Sequence, residues 1–113
     1  MSLFLTAIAL QMAASAALPA DEARIAFSNC MVEVAQQHLG DKNSAKMFGK
    51  VAQTACADKK TVYRDIIITE EKGFGSSEAE AAEYADEEVK GIVDGFVDSY
   101  GSYLSTNTRP VKE

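Results

Sequence analysis

Two residues in this chain have the type and placement to bond covalently to each other: Cys30 and Cys56, the only cysteines. A redox pair would normally be vicinal, as Cys-x-x-Cys, with an exposed thiol at a helix start. A zinc centre needs three or four ligands, and the chain has one histidine, His38. Both cysteines fall on the apolar stripes of consecutive helical segments, Cys30 about 10 residues before the turn at 40–43 and Cys56 about 12 after it. At a rise of about 1.5 Å per residue, they lie about 15 and 19 Å from that turn in an antiparallel hairpin. A modest stagger brings them within bridging range, and a structural disulfide is expected. Closing a loop of this length stabilises a fold by about 3.5 kcal/mol through restriction of the unfolded chain.

The remaining chemistry-bearing residues are less organised. His38 sits near a helix end with no nucleophile and no carboxylate at helical spacing, so no catalytic group assembles around it and no enzyme is expected. Glu83, Asp86 and Glu87 form an acidic face to which a divalent cation would be drawn, yet no loop has calcium-binding spacing. Their first reading is solvated and helix-pairing charge. Gly91 and Gly95 recur four residues apart in "GIVDG". Each glycine weakens a helix by about 1 kcal/mol relative to alanine. The pair therefore calls for close approach of another helix, with Ala23 and Ala26 as its small residues, or for a ligand cleft. No cofactor is implied by any of these groups.

Three helical segments must position these residues. The first runs from about Pro19 to Leu39, with Asp21 and Glu22 favouring the positive end of the helix dipole. Its stripe is Phe27, Cys30, Met31, Val34 and His38, and Gly40 stops it. The second starts at Ser44 and is read as one long helix to Lys72, with Gly73 as its stop. The β-branched "DIIIT" within it is overridden by helical spacing on both sides. The third follows "GFGS": Ser77 and Glu80 have capping-box spacing. Ala82, Ala85, Val89, Ile92, Val93, Phe96, Tyr100 and Tyr103 carry its stripe to about Leu104. Phe48, Phe96, Tyr100 and Tyr103 read as core. Residues 105–113 lack periodicity and are expected to form a flexible tail.

Residues 1–20 carry no charged side chain. Leu3 to Leu10 has the length of a signal-peptide apolar region, and "AASA" supplies small residues for cleavage after Ala16 or Ala17. Only the amino terminus provides positive charge ahead of it. Gln11 and Pro19 interrupt the run before the roughly 20 apolar residues a membrane span requires. The organisation expected is therefore a signal peptide over 1–16, one helical domain over 17–104 and the tail. No membrane span remains after cleavage, and the location is periplasmic or secreted, where a disulfide persists.

The 113 residues carry a formal charge of −6 and are 47% hydrophobic. That excess of negative charge opposes binding to a phosphate backbone, so no nucleic-acid partner is expected. Residues 42–64 hold six basic side chains against one acidic, and residues 70–98 ten acidic against two basic. Pairing the second and third helices about the turn at 73–76 brings Lys60 and Arg64 towards Asp86, Glu87 and Glu88, and Lys46 and Lys50 towards Asp98.

The fold class expected is all-α, an antiparallel three-helix arrangement with an extended hairpin of the second and third helices. The first helix, at about 20 residues, covers them only up to about residue 63 and from about residue 86. Ile66, Ile67, Ile68 and Phe74 at the hairpin tip are left short of partners, which points to a homodimer or a docked protein partner. The function expected is a small exported non-enzymatic protein that binds partners or clients in the cell envelope, with a stress or chaperone role among the forms this takes. The alternative is a carrier of a small ligand or divalent cation. The leader predicts that the protein recovered from its native compartment begins at Ala17 or Leu18; an intact mass that retains Met1 would contradict it.

Overall fold

The computed structural model describes residues 19–113; the leader expected over 1–16 lies outside them. Among the described residues the chain is all-helical with no strand: α1 (Pro19–Gly40), α2 (Ala45–Ala52), α3 (Ala57–Gly73) and α4 (Glu78–Thr106). The hairpin of α3 and α4 forms the body, α1 packs along both, and short α2 braces the far end against α4.

Local chemistry accounts for the boundaries. Ser44 caps α2 by accepting the Met47 amide at 3.1 Å, and Ser77 caps α4 by accepting the Glu80 amide at 3.1 Å. Each bond satisfies one of the amides that a helix start leaves without a partner. Asn107, at φ 53°, closes α4 in the left-handed conformation that asparagine tolerates. Gly75, at φ +103°, turns the chain between α3 and α4, where a side chain would be strained.

The expected single helix from Ser44 to Lys72 is instead two helices, so the described residues hold four helices rather than three. The chain breaks at residues 53–56, and Cys56 adopts a left-handed conformation at φ 58°. The sequence contains the reason. Continued without a break, the stripe Phe48, Ala52, Cys56 would run through Lys59 or Lys60 before reaching Tyr63 and Ile67. An ammonium turned towards apolar α1 would be costly to desolvate. The break leaves Lys59 exposed, and Lys60 turns back to donate to the Gln53 carbonyl at 2.8 Å, satisfying the end of α2.

The core is one cluster. Ala23, Phe27, Met31 and Ala35 of α1, four residues apart, meet Tyr63 and Ile67 of α3 and Ala85, Val89 and Val93 of α4. At the α2 end, Phe48 and Tyr100 stack with ring centroids 4.3 Å apart and planes at 11°, an offset-stacking distance that adds to their burial. The Tyr100 hydroxyl donates to the Asn43 carbonyl at 2.6 Å and so ties the α1–α2 turn to α4. Outside the core, Arg64 meets Asp86 at 2.6 Å, the cross-hairpin pairing that the charge pattern implied.

The tail lies along α1. Gln36 donates to the Pro110 carbonyl at 2.9 Å, the Glu113 amide donates to Asn29 Oδ1 at 2.9 Å, and Glu113 meets Arg24 at 3.0 Å. Lys112 pairs with Glu33. Val32 is buried but lies outside the main core, on the face between Asn29 and Gln36, and Pro110 is buried above that face. The tail thus completes a small second layer, which its lack of helical periodicity concealed.

Cys30 and Cys56 are joined, with Cα atoms 6.1 Å apart. Replacing both by alanine should lower unfolding stability by about 3 kcal/mol in urea titrations. A change under about 1 kcal/mol would show that the link adds little to the folded chain.

Candidate functional site

The cysteines are spent on each other, and the chain has no free thiol. His38 is taken up structurally. Its Nδ1 lies 2.8 Å from Asn43 Nδ2, and its ring meets Phe48 edge-on at 5.9 Å. Because an amide nitrogen only donates, Nδ1 accepts, which places the proton of the neutral ring on Nε2.

The four residues expected at the hairpin tip do not act together. Ile67 is in the core, and Ile66 and Ile68 pack half-buried against it, facing different flanks. α1 reaches further along the hairpin than its length implied. Its first turn lies beside Ile66, Ile67 and Glu70, because α3 begins only at Ala57 and the register between helices is set by the disulfide. Phe74 alone stands free, 84% exposed. Its backbone is braced: its amide donates to the Glu70 and Glu71 carbonyls, and the Ser76 amide donates to Glu71 at 3.0 Å.

Gly91 and Gly95 do not meet another helix. A Cβ on either would touch nothing within 4 Å. They follow Val89 and Val93 by two residues, which turns them roughly 200° away from the buried stripe. They instead edge a shallow trough of about 350 Å³, floored by Ile92, Phe96 and Tyr103 with Ser28 of α1 opposite.

Glu83, Asp86 and Glu87 are exposed, and Asp86 is engaged by Arg64. Among the described residues, no three carboxylate, histidine or cysteine side chains come together as metal ligands.

A different site emerges where the start of α1 crosses the hairpin. Asp21 and Arg24 of α1, Tyr63, Ile67, Glu70 and Glu71 of α3, and Tyr84 and Glu88 of α4 line an open groove of about 250 Å³. Four carboxylates face one guanidinium, and Arg24 is held by Asp21 at 3.3 Å and by Glu113 at 3.0 Å. Tyr63 is only 5% exposed. Burial raises its phenol pKa above the usual value, and the charge of nearby Glu88 raises it further. Tyr63 lines the groove, and no side-chain nitrogen or oxygen among the described residues is both sealed from solvent and unpaired. Tyr84 is likewise raised, by the charge of Glu88 first.

This groove is not legible in the sequence because its members come from three elements that meet only through tertiary packing. The available signal was Tyr63 on the stripe of α3: a buried phenol asks for a partner.

No protein-family model, curated protein or solved structure matches the chain. Among the described residues, no helix is long and apolar enough to cross a membrane.

Raised phenol pKa values fix a sign for pH dependence. A tyrosine that binds its proton more tightly when folded contributes stability that is complete below the unfolded value of about 10 and is lost as pH rises through the folded value. Stability should therefore fall above about pH 10, and Tyr63→Phe should flatten that fall in pH-dependent urea titrations. An identical pH profile in the variant would show that Tyr63 titrates as it does in the unfolded chain.

Proposed function

We propose that this chain is a small exported, non-enzymatic binding protein that works in an oxidising compartment and engages protein partners or clients through the α3–α4 turn. The observation that carries the reading is Phe74, a large aromatic 84% exposed on a turn braced by backbone hydrogen bonds. A turn whose backbone is already held in place loses little conformational freedom on binding, which lowers the cost of presenting an aromatic to a partner. The disulfide between Cys30 and Cys56 supports the compartment, since such bonds persist where thiols are not kept reduced. The uncharged, small-residue-rich leader points the same way.

A stress or chaperone role fits a protein whose client-binding surface is an aromatic tip on an acidic support. A second reading, carriage of a small cationic ligand, is favoured by the groove at the start of α1 rather than by the tip.

Light scattering tests the first reading in two arms, the chain alone at tens of micromolar and its effect on aggregation of a heat-unfolded client enzyme without reductant, each at neutral and acidic pH. The expected result is a dimer or suppressed aggregation, removed in either case by Phe74→Ser without loss of folding. A monomer that leaves client aggregation unchanged at both pH values would contradict it.

A further inference from the structure

We infer that the outer face of α1 is a docking site for an extended peptide segment, one that carries a proline followed two and three residues later by a cation and a carboxylate. Pro110, Lys112 and Glu113 of this chain's own tail occupy it in cis. The register of the contacts carries the inference. Gln36 donates to the Pro110 carbonyl at 2.9 Å, and Asn29 accepts from the Glu113 amide at 2.9 Å, with its own amide nitrogen 3.5 Å from the Glu113 main-chain oxygen. Seven residues of helix rise about 10.5 Å, and three residues of extended chain span about 10 Å. Two side-chain amides two turns apart on α1 therefore meet the main chain at two points of an extended segment that runs antiparallel to the helix. Such amides both donate and accept, so these contacts suit the main chain of any sequence.

Side chains add the selection. Pro110 is buried on the face that carries Val32, itself 3% exposed. A proline at that point is already restricted towards the extended form, which lowers the cost of ordering the segment. Lys112 pairs with Glu33, and Glu113 meets Arg24 at 3.0 Å. A segment with those two charges exchanged would set like against like at both positions. Val111 between them is 78% exposed and is not read.

The occupant is displaceable. The main core is built without any tail residue, and Val32 lies outside it. The tail's ion pairs are exposed, and exposed pairs hold little. A segment secured in this way opens locally while the body stays folded. Its short tether keeps it near the site at an effective concentration of millimolar order, so a segment of a partner protein competes when it is abundant or better matched. The site goes beyond the reading built on Phe74 and uses a different surface. Either can fail without the other, because Phe74→Ser leaves α1 and the tail intact.

The test uses the full disulfide-bonded chain in two forms, the native one and a tail-released variant carrying Pro110→Gly, Lys112→Glu and Glu113→Lys. Each is titrated with the capped peptide acetyl-Thr-Arg-Pro-Val-Lys-Glu-amide and with a control in which the last two residues are exchanged. NMR of the Asn29 and Gln36 side-chain amides reports the site. The released variant should bind the first peptide saturably, with a dissociation constant of about 1 mM or tighter and shifts at both amides. The native chain should bind it about fivefold more weakly or worse, because its own tail competes. The control peptide should lose about fivefold on the released variant, and adding Arg24→Ala should cost the first peptide about threefold. Absence of saturable binding to the folded released variant would overturn the inference, as would equal affinity for the two peptides. So would loss of helix in that variant by circular dichroism, which would make the tail a part of the fold rather than an occupant.

Discussion

One covalent link sets the geometry on which the rest of this fold depends. The bond between Cys30 and Cys56 fastens the middle of α1 to the residue that precedes α3, with Cα atoms 6.1 Å apart. Cys56 takes a left-handed conformation there, a cost of about 1–2 kcal/mol for a residue with a side chain. That cost is offset by what the bend achieves. It separates α2 from α3, turns Lys59 and Lys60 away from the core, and lets α3 run beside α1 from its first turn. The apolar stripe of α1 then meets Tyr63 and Ile67, and its amino-terminal turn reaches far enough to form one wall of the acidic groove.

Two aromatic layers complete the body on either side of the link. Phe27 and Tyr63 lie 6.4 Å apart between α1 and α3, and Phe48 stacks on Tyr100 between α2 and α4. The second layer is tied to the α1–α2 turn through Asn43, which accepts from Tyr100 and meets His38. A small domain buries a limited fraction of its chain, so a crosslink between such layers matters more than it would in a larger core. The ion pairs lie at the surface. Arg64 with Asp86 and Lys72 with Glu78 fix the register of the hairpin more than its stability, because exposed pairs are worth about 0–1 kcal/mol each.

Much of this was legible in the sequence wherever a single element carried the signal. Most of the stripes of α1 and α4, the caps at Ser44 and Ser77, the stop at Gly40 and the pairing of the cysteines follow from local spacing and elementary geometry, although the buried line takes Ala35 rather than Val34 in α1 and Ala81 rather than Ala82 in α4. The charge blocks correctly anticipated Arg64 beside Asp86. The break at 53–56 is less legible, because apolar spacing continues across it and only the desolvation cost of Lys59 in that stripe marks the end of the helix. The spacing of Gly91 and Gly95 implies a helix contact or a ligand cleft, yet spacing cannot say which way the pair faces; the buried Val89 and Val93 decide that. The groove was invisible to linear reading because Asp21, Tyr63 and Glu88 meet only through tertiary packing. The tail was missed for a related reason: Gln36, Glu33, Asn29 and Arg24 hold an extended segment by polar contacts that leave no periodic trace.

The proposed compartment and the architecture rest on the same bond, so its state is the most direct test. The protein is taken from its native compartment without reductant, denatured, treated with iodoacetamide and weighed intact by mass spectrometry. The account predicts no adduct on the untreated chain and two after reduction, one on Cys30 and one on Cys56. Two adducts before any reductant is added would show free thiols. The helix arrangement and the oxidising compartment would then lose their common basis.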